Sequence, residues 1–93
     1  MNYLITYDVE NNKNRKKLSD LLEGYGVRVN YSVFECEFNK TKLNKLLKQI
    51  KEQKLYDKSI DSIRFYHICQ NCISKSFELT DRGDIFEDIE FFI

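Results

Sequence analysis

The chain has one histidine, three cysteines and three glycines in 93 residues, and each scarcity removes a class of chemistry. A single histidine, His67, excludes a two-histidine metal motif within one chain. Nothing assembles a serine or cysteine nucleophile with a histidine and an acid, and no glycine-rich loop is present to cradle phosphates. An odd number of cysteines fits a reducing compartment better than a disulfide framework. Cys69-Gln70-Asn71-Cys72 forms a CxxC, but no second pair follows and Cys36 is remote, so the four ligands of a zinc site are not supplied. No apolar run approaches the roughly eighteen residues of a membrane span, and the N-terminus has no signal-peptide pattern. A cytoplasmic location is expected.

What is present suffices for one folded domain: 42% hydrophobic and 14% aromatic residues can build one core but not two. The formal net charge of zero hides an asymmetry. Between Lys13 and Lys58 twelve lysines and arginines face six acids, whereas from Ser76 to Ile93 Arg82 alone faces six acids. A basic body with an acidic tail can bind a polyanion on one face while the tail meets a basic protein or folds away. Ordinary solvated surface is the competing reading for the lysines of the second predicted helix.

Tyr3, Ile5, Tyr7 and Val9 alternate with Leu4, Thr6 and Asp8, a strand pattern with β-branched and aromatic weight. Asn11 and Asn12 offer a turn and a helix cap. Leu18, Leu21, Leu22 and Tyr25 then form one apolar helical face, with Gly24 and Gly26 expected to end the helix in left-handed geometry. The apolar parity switches between Val33 and Phe34, so two short strands, Val27–Tyr31 and Val33–Phe38, are predicted around a tight kink. Asn39 is a candidate cap for a helix from Lys40 to Gln53, carrying Leu43, Leu46, Leu47 and Ile50. Ser62–Cys69 reads as a strand, and Ser76–Thr80 and Asp88–Ile93 as extended segments.

This order predicts an α+β, ferredoxin-like βαββαβ fold, with an antiparallel sheet, two helices on one face and extra C-terminal strands. The core is expected over residues 1–75, with 76–93 as an extension for dimer or partner contact. Tyr3, Ile5, Val29, Tyr31 and Phe65 are candidates for a bare apolar sheet face, which implies a homodimer with its sheets face to face.

Asp8 closes the first strand ahead of Lys13-Asn14-Arg15-Lys16-Lys17. A carboxylate facing a helix start crowded with cations suits magnesium and phosphate, since magnesium commonly takes one or two protein carboxylates and keeps several waters. The competing role for Asp8 is capping the turn into the first helix. Arg15 and Arg28 are the phosphate candidates because a guanidinium fork matches phosphate oxygens. Surface ion pairs with residues such as Glu10 or Glu35 are the alternative. Lys13, Lys16 and Lys17 supply sequence-independent attraction for a duplex backbone. His67 alternates with Phe65 and Cys69 and reads as a buried or packed histidine rather than a general base.

Tyr7-Asp8, Arg15, the segment Gly26-Val27-Arg28-Val29-Asn30-Tyr31-Ser32-Val33-Phe34-Glu35 and the strand Asp61–Cys69 together resemble the small CRISPR-associated adaptation protein family. Members of that family bridge two integrase dimers during spacer acquisition and are often described as metal-dependent endonucleases. The resemblance runs from about Asn2 to Cys69. It implies a homodimer with Asp8 of each chain near the two-fold axis, sharing or flanking Mg2+, and it ties Tyr7, Asp8, Arg15, Arg28 and Phe34 to nuclease activity. Asn30 stands where the family usually has glutamine. Lys17 stands where a second helix arginine is common, which keeps the charge but loses bidentate phosphate geometry.

The implied function is a CRISPR adaptation subunit that binds duplex protospacer DNA at Lys13, Arg15, Lys16, Lys17 and Arg28 and bridges the CRISPR-associated integrase. Magnesium-dependent endonuclease activity on DNA or single-stranded RNA would centre on Asp8. A stand-alone toxin-type endoribonuclease of the same fold is the alternative.

Overall fold

A computed structural model describes residues 1–86 of the chain. Strand β1 (Asn2–Asp8) leads to helix α1 (Asn12–Glu23), then to β2 (Gly26–Asn30) and β3 (Val33–Glu37). Helix α2 (Lys40–Glu52), strand β4 (Ser62–Ile68) and a short helix α3 (Gln70–Ser74) follow. The strands form one sheet in the order β2-β3-β1-β4, with every neighbouring pair antiparallel. This is the expected ferredoxin-like arrangement. No helix among the described residues is long and apolar enough to cross a membrane.

Local chemistry explains the helix starts. The Asn11 side chain accepts a hydrogen bond from the Asn14 N–H at 2.9 Å, and Asn39 accepts from Lys42 at 2.8 Å. Each bond satisfies a backbone donor that the first turn leaves without a partner. The end of α1 differs from expectation. Gly24 keeps right-handed geometry at φ −75°, because the Gly24 and Tyr25 N–H groups donate back to Leu21 and Leu22 and tighten the last turn. Gly26 lies within β2, opposite Cys36.

The parity switch after Val33 is the reversal of a hairpin rather than a kink in one extended stretch. β2 and β3 pair antiparallel across Tyr31-Ser32, and a bulge between Arg28 and Asn30 inserts an extra residue into β2. A bulge of this kind bends the strand and re-aims the side chains on either side of it.

Leu18 and Leu22 of α1 and Leu46 and Ile50 of α2 pack on Ile5, Tyr7, Phe34 and Cys36 in one buried cluster. Burying each large aliphatic side chain contributes about 1.5–3 kcal/mol. Tyr3 and Phe65 pack against the same cluster, so together with Ile5 they belong to the helix-covered face rather than to a bare apolar one. Alternation then assigns Leu4, Thr6, Glu35 and Tyr66 to the open face, which is mixed in character. Val29 of β2 is exposed, and Tyr31, also exposed, lies in the β2–β3 turn rather than on the sheet face.

The C-terminal region also departs from expectation. Ser76–Thr80 forms no strand. The chain turns through α3 and returns over the β2–β3 hairpin, where the Phe86 N–H donates to the buried Glu35 carboxylate at 2.7 Å. The predicted extended segment Asp88–Ile93 lies outside the described residues.

Candidate functional site

The end of β1, the exposed face of α1 and the β2–β3 turn enclose an open cleft of about 540 Å3. Tyr7, Asp8, Arg15, Lys16 and Arg28 line it. Five of the residues singled out in the sequence therefore meet at one place. Lys13 and Lys17 are exposed on α1 outside the cleft lining, with no ion pair among the described residues.

Asp8 is the last residue of β1, pairs with Ser62 of β4, and is exposed. Among the described residues its carboxylate has no hydrogen-bond or salt-bridge partner. The capping role considered for it is taken by Asn11. An exposed carboxylate of this kind can supply one of the one or two protein carboxylates by which magnesium is commonly held. The described residues of one chain hold no cluster of three or more histidines, cysteines or carboxylates that could complete a metal shell.

The two arginines are held by different partners. Arg15 donates from Nη1 to the Val9 carbonyl at 3.0 Å and the Glu10 carbonyl at 3.3 Å, and from Nη2 to the Asn12 side chain. Its partners are two loop carbonyls and the Asn12 side chain at the start of α1 rather than the Glu10 carboxylate. Arg28 donates from Nη1 to the Tyr31 carbonyl at 3.2 Å, and from Nη2 to Ser19 and to Glu23 at 3.2 Å. Arg28 thus does form an ion pair, but with Glu23 of α1 rather than Glu35. Both guanidinium groups are fixed in orientation at the cleft and keep Nε–H groups that these bonds do not use.

Phe34 is fully buried. The Arg28 guanidinium sits 5.3 Å from its ring centroid, and the Tyr7 ring stacks against it at 6.3 Å and 25°. Phe34 therefore forms the floor beneath the cleft and is not on its surface. Tyr7 is almost buried, and its hydroxyl donates to the Tyr31 carbonyl at 3.4 Å. The same carbonyl accepts from Arg28, so one turn oxygen ties β1 to the β2–β3 hairpin.

Sequence reasoning missed Asn12, Ser19 and Glu23, which hold the arginines. The signal was available: Asn12, Lys16, Ser19 and Glu23 recur at steps of three and four residues and share one face of α1. Lys16 is partly neutralised by Asp20 at 3.1 Å. His67 is exposed, and it packs by stacking flat on Tyr3 at 5.0 Å, away from the cleft.

A family model described as CRISPR associated protein Cas2 matches residues 1–76. A curated relative from Synechocystis sp., the CRISPR-associated endoribonuclease Cas2 3, is 47% identical over 73 residues, covering 78% of this chain and 77% of the relative. The crystal structure of Streptococcus pyogenes Cas2 at pH 6.5 superposes with a TM-score of 0.73 at 30% identity, covering 86% of this chain and all of that one. A chain of the solved partial Cas6-RT-Cas1–Cas2 complex gives a TM-score of 0.64 at 40% identity, over 84% of this chain and 89% of that one.

Proposed function

The chain belongs to the CRISPR-associated Cas2 family, and from that premise we propose that it is an adaptation subunit with a magnesium-dependent phosphodiesterase centre at Asp8. It acts as a homodimer that binds duplex DNA through the basic face of α1 and docks a CRISPR-associated integrase. The nuclease part is supported by relatives named endoribonucleases, and the integrase part by a structural neighbour taken from a complex that contains Cas1. RNA and DNA share the phosphodiester that the site is built to hold.

One observation carries the catalytic reading: an exposed carboxylate, without a partner among the described residues, shares a cleft with two arginines of fixed orientation. Asp8 would hold magnesium through a carboxylate oxygen, and a second copy of the chain would bring the other carboxylate. When bound, the ion supplies Lewis-acid polarisation of a phosphoryl oxygen and an acidified water. Arg15 and Arg28 hold the phosphate and neutralise charge that develops on its oxygens. Tyr7 and Phe34 set the position of Arg28 from below. The segment from Ser76 onward serves partner contact, and with the exposed Phe77 and Leu79 it presents apolar surface beside acidic residues.

Asp8→Ala tests this reading. The variant is expected to lose magnesium-dependent cleavage of single-stranded RNA and duplex DNA by purified protein, while keeping duplex binding and integrase association. Cleavage that persists unchanged overturns the assignment of Asp8.

A further inference from the structure

Cys69 and Cys72 are the one motif of the sequence that this function leaves unused. They sit where β4 passes into α3, and both are exposed. The Cys72 N–H donates to the Cys69 carbonyl at 3.0 Å, which folds the backbone into a turn and brings the two Sγ atoms to 3.3 Å. A disulfide is about 2.05 Å long, so closing it needs an approach of roughly 1.3 Å, which rotation of two exposed side chains can supply. The described residues contain no third acid, histidine or cysteine grouped with this pair, so a metal would find two sulfurs and no further protein ligand.

We propose that Cys69 and Cys72 form a reversible intramolecular disulfide, a redox modification site oxidised by peroxide. The nucleophile is Cys69. Hydrogen bonds from the Cys72 backbone and side chain hold its thiol below the ordinary range, and the same contact raises that of Cys72. A low-lying, exposed thiol with a neighbouring resolving thiol is the arrangement that peroxide oxidises selectively.

The Cys69 thiolate attacks one peroxide oxygen and the O–O bond breaks. The departing hydroxide takes a proton, leaving a sulfenic acid on Cys69. The Cys72 sulfur then attacks the Cys69 sulfur. The S–S bond forms, the S–O bond breaks, and water leaves carrying the Cys72 proton. Two thiols and one peroxide give one disulfide and two waters. Cys36 takes no part, because burial pushes its thiol up to about 12.

The bond also fixes a turn. The Cys72 carbonyl accepts from the Lys75 N–H at 3.2 Å and the Ser76 hydroxyl at 2.6 Å, so Cys72 holds the point from which the C-terminal segment departs.

The test uses the full chain, reduced, freed of reductant and titrated with hydrogen peroxide, then followed by thiol count and intact mass. Free thiols are expected to fall from three to one with the loss of two hydrogen atoms, and dithiothreitol is expected to restore them. Cys69→Ser and Cys72→Ser, at exposed positions and checked for folding by circular dichroism, should form no internal disulfide. Persistence of three thiols, oxygen addition to Cys69 that stops at sulfinic acid, or cross-linking between chains overturns the proposal. Trypsin cleavage after Lys75 is expected to slow on oxidation, and an unchanged rate overturns the claim that the bond holds this turn.

Discussion

Phe34 offers a way to separate support of the cleft from chemistry within it, because the family resemblance ties this position to activity while the structure buries it completely. Phe34→Ala removes a ring in contact with both Tyr7 and the Arg28 guanidinium. Truncating a buried phenylalanine to alanine costs about 3–5 kcal/mol, which includes the cavity left behind. A domain of this length has about 5–14 kcal/mol of stability at roughly 0.05–0.15 kcal/mol per residue, so the loss is a large fraction of the total. At about 4–8 °C per kcal/mol for a domain of 60–100 residues, the midpoint should drop by roughly 12–40 °C.

Phe34→Leu keeps an apolar group in the site and should fall within the ordinary range of about 0.5–3 kcal/mol, which includes the lost contact with the guanidinium. The assay is thermal unfolding by circular dichroism at fixed protein concentration, alongside cleavage measured well below each variant's midpoint. Cleavage by Phe34→Leu should be reduced less than tenfold when the protein is folded, since Phe34 touches no substrate. A Phe34→Leu protein that melts within about 1 kcal/mol of the parent yet has no cleavage would refute the supporting role and place Phe34 in the chemistry.

Gly26 permits close approach of β2 to β3: a Cβ there would lie 2.3 Å from the Glu35 carbonyl oxygen and 2.5 Å from the Cys36 Sγ. Gly26→Ala should therefore cost about 1–3 kcal/mol in urea unfolding, and a neutral result would show that the hairpin yields without strain. Cys36 is a weaker acid when folded, its thiol pushed up from 9.0 to about 12 by burial and then by Glu35. Its stabilising contribution is complete below pH 9 and declines as pH rises between about 9 and about 12, with a slope near 1.4 kcal/mol per pH unit. Cys36→Ala should flatten that part of the pH–stability curve, and an unchanged slope would assign the decline to other groups. Duplex affinity should fall steeply with salt, and each of Lys13→Ala and Lys17→Ala should reduce the log–log slope by about 0.9. A flat salt response would remove α1 as the binding surface.

Element type was readable from the sequence wherever periodicity was strong. The leucine stripes of α1 and α2 and the alternation along β1 led to the observed elements, and both asparagine caps were identified. The face of the sheet was not readable. Alternation says that Tyr3, Ile5 and Tyr7 share a side, but only packing against Leu18, Leu22 and Leu46 determines that this side is the covered one. No element is predicted between Cys69 and Ser76, because this short stretch contains no full helical repeat. The five-residue helix α3 lies below the length at which periodicity carries information.

The placement of Asp8 follows from that packing. Ile5 and Tyr7 must be buried, and pairing on both sides holds β1 in one register, so Asp8 belongs to the open face of the sheet. The arginines approach from the helix-covered side, Arg15 from α1 and Arg28 through its ring contact with buried Phe34. Asp8 reaches their cleft only because β1 ends there, and one strand end thus presents an acid and two cations from opposite sides of the sheet. If the proposed second copy joins through the open face, Asp8 lies on the side of that contact and the arginines on the other. Removing the acid should therefore abolish cleavage without weakening duplex binding, whereas removing an arginine should weaken both.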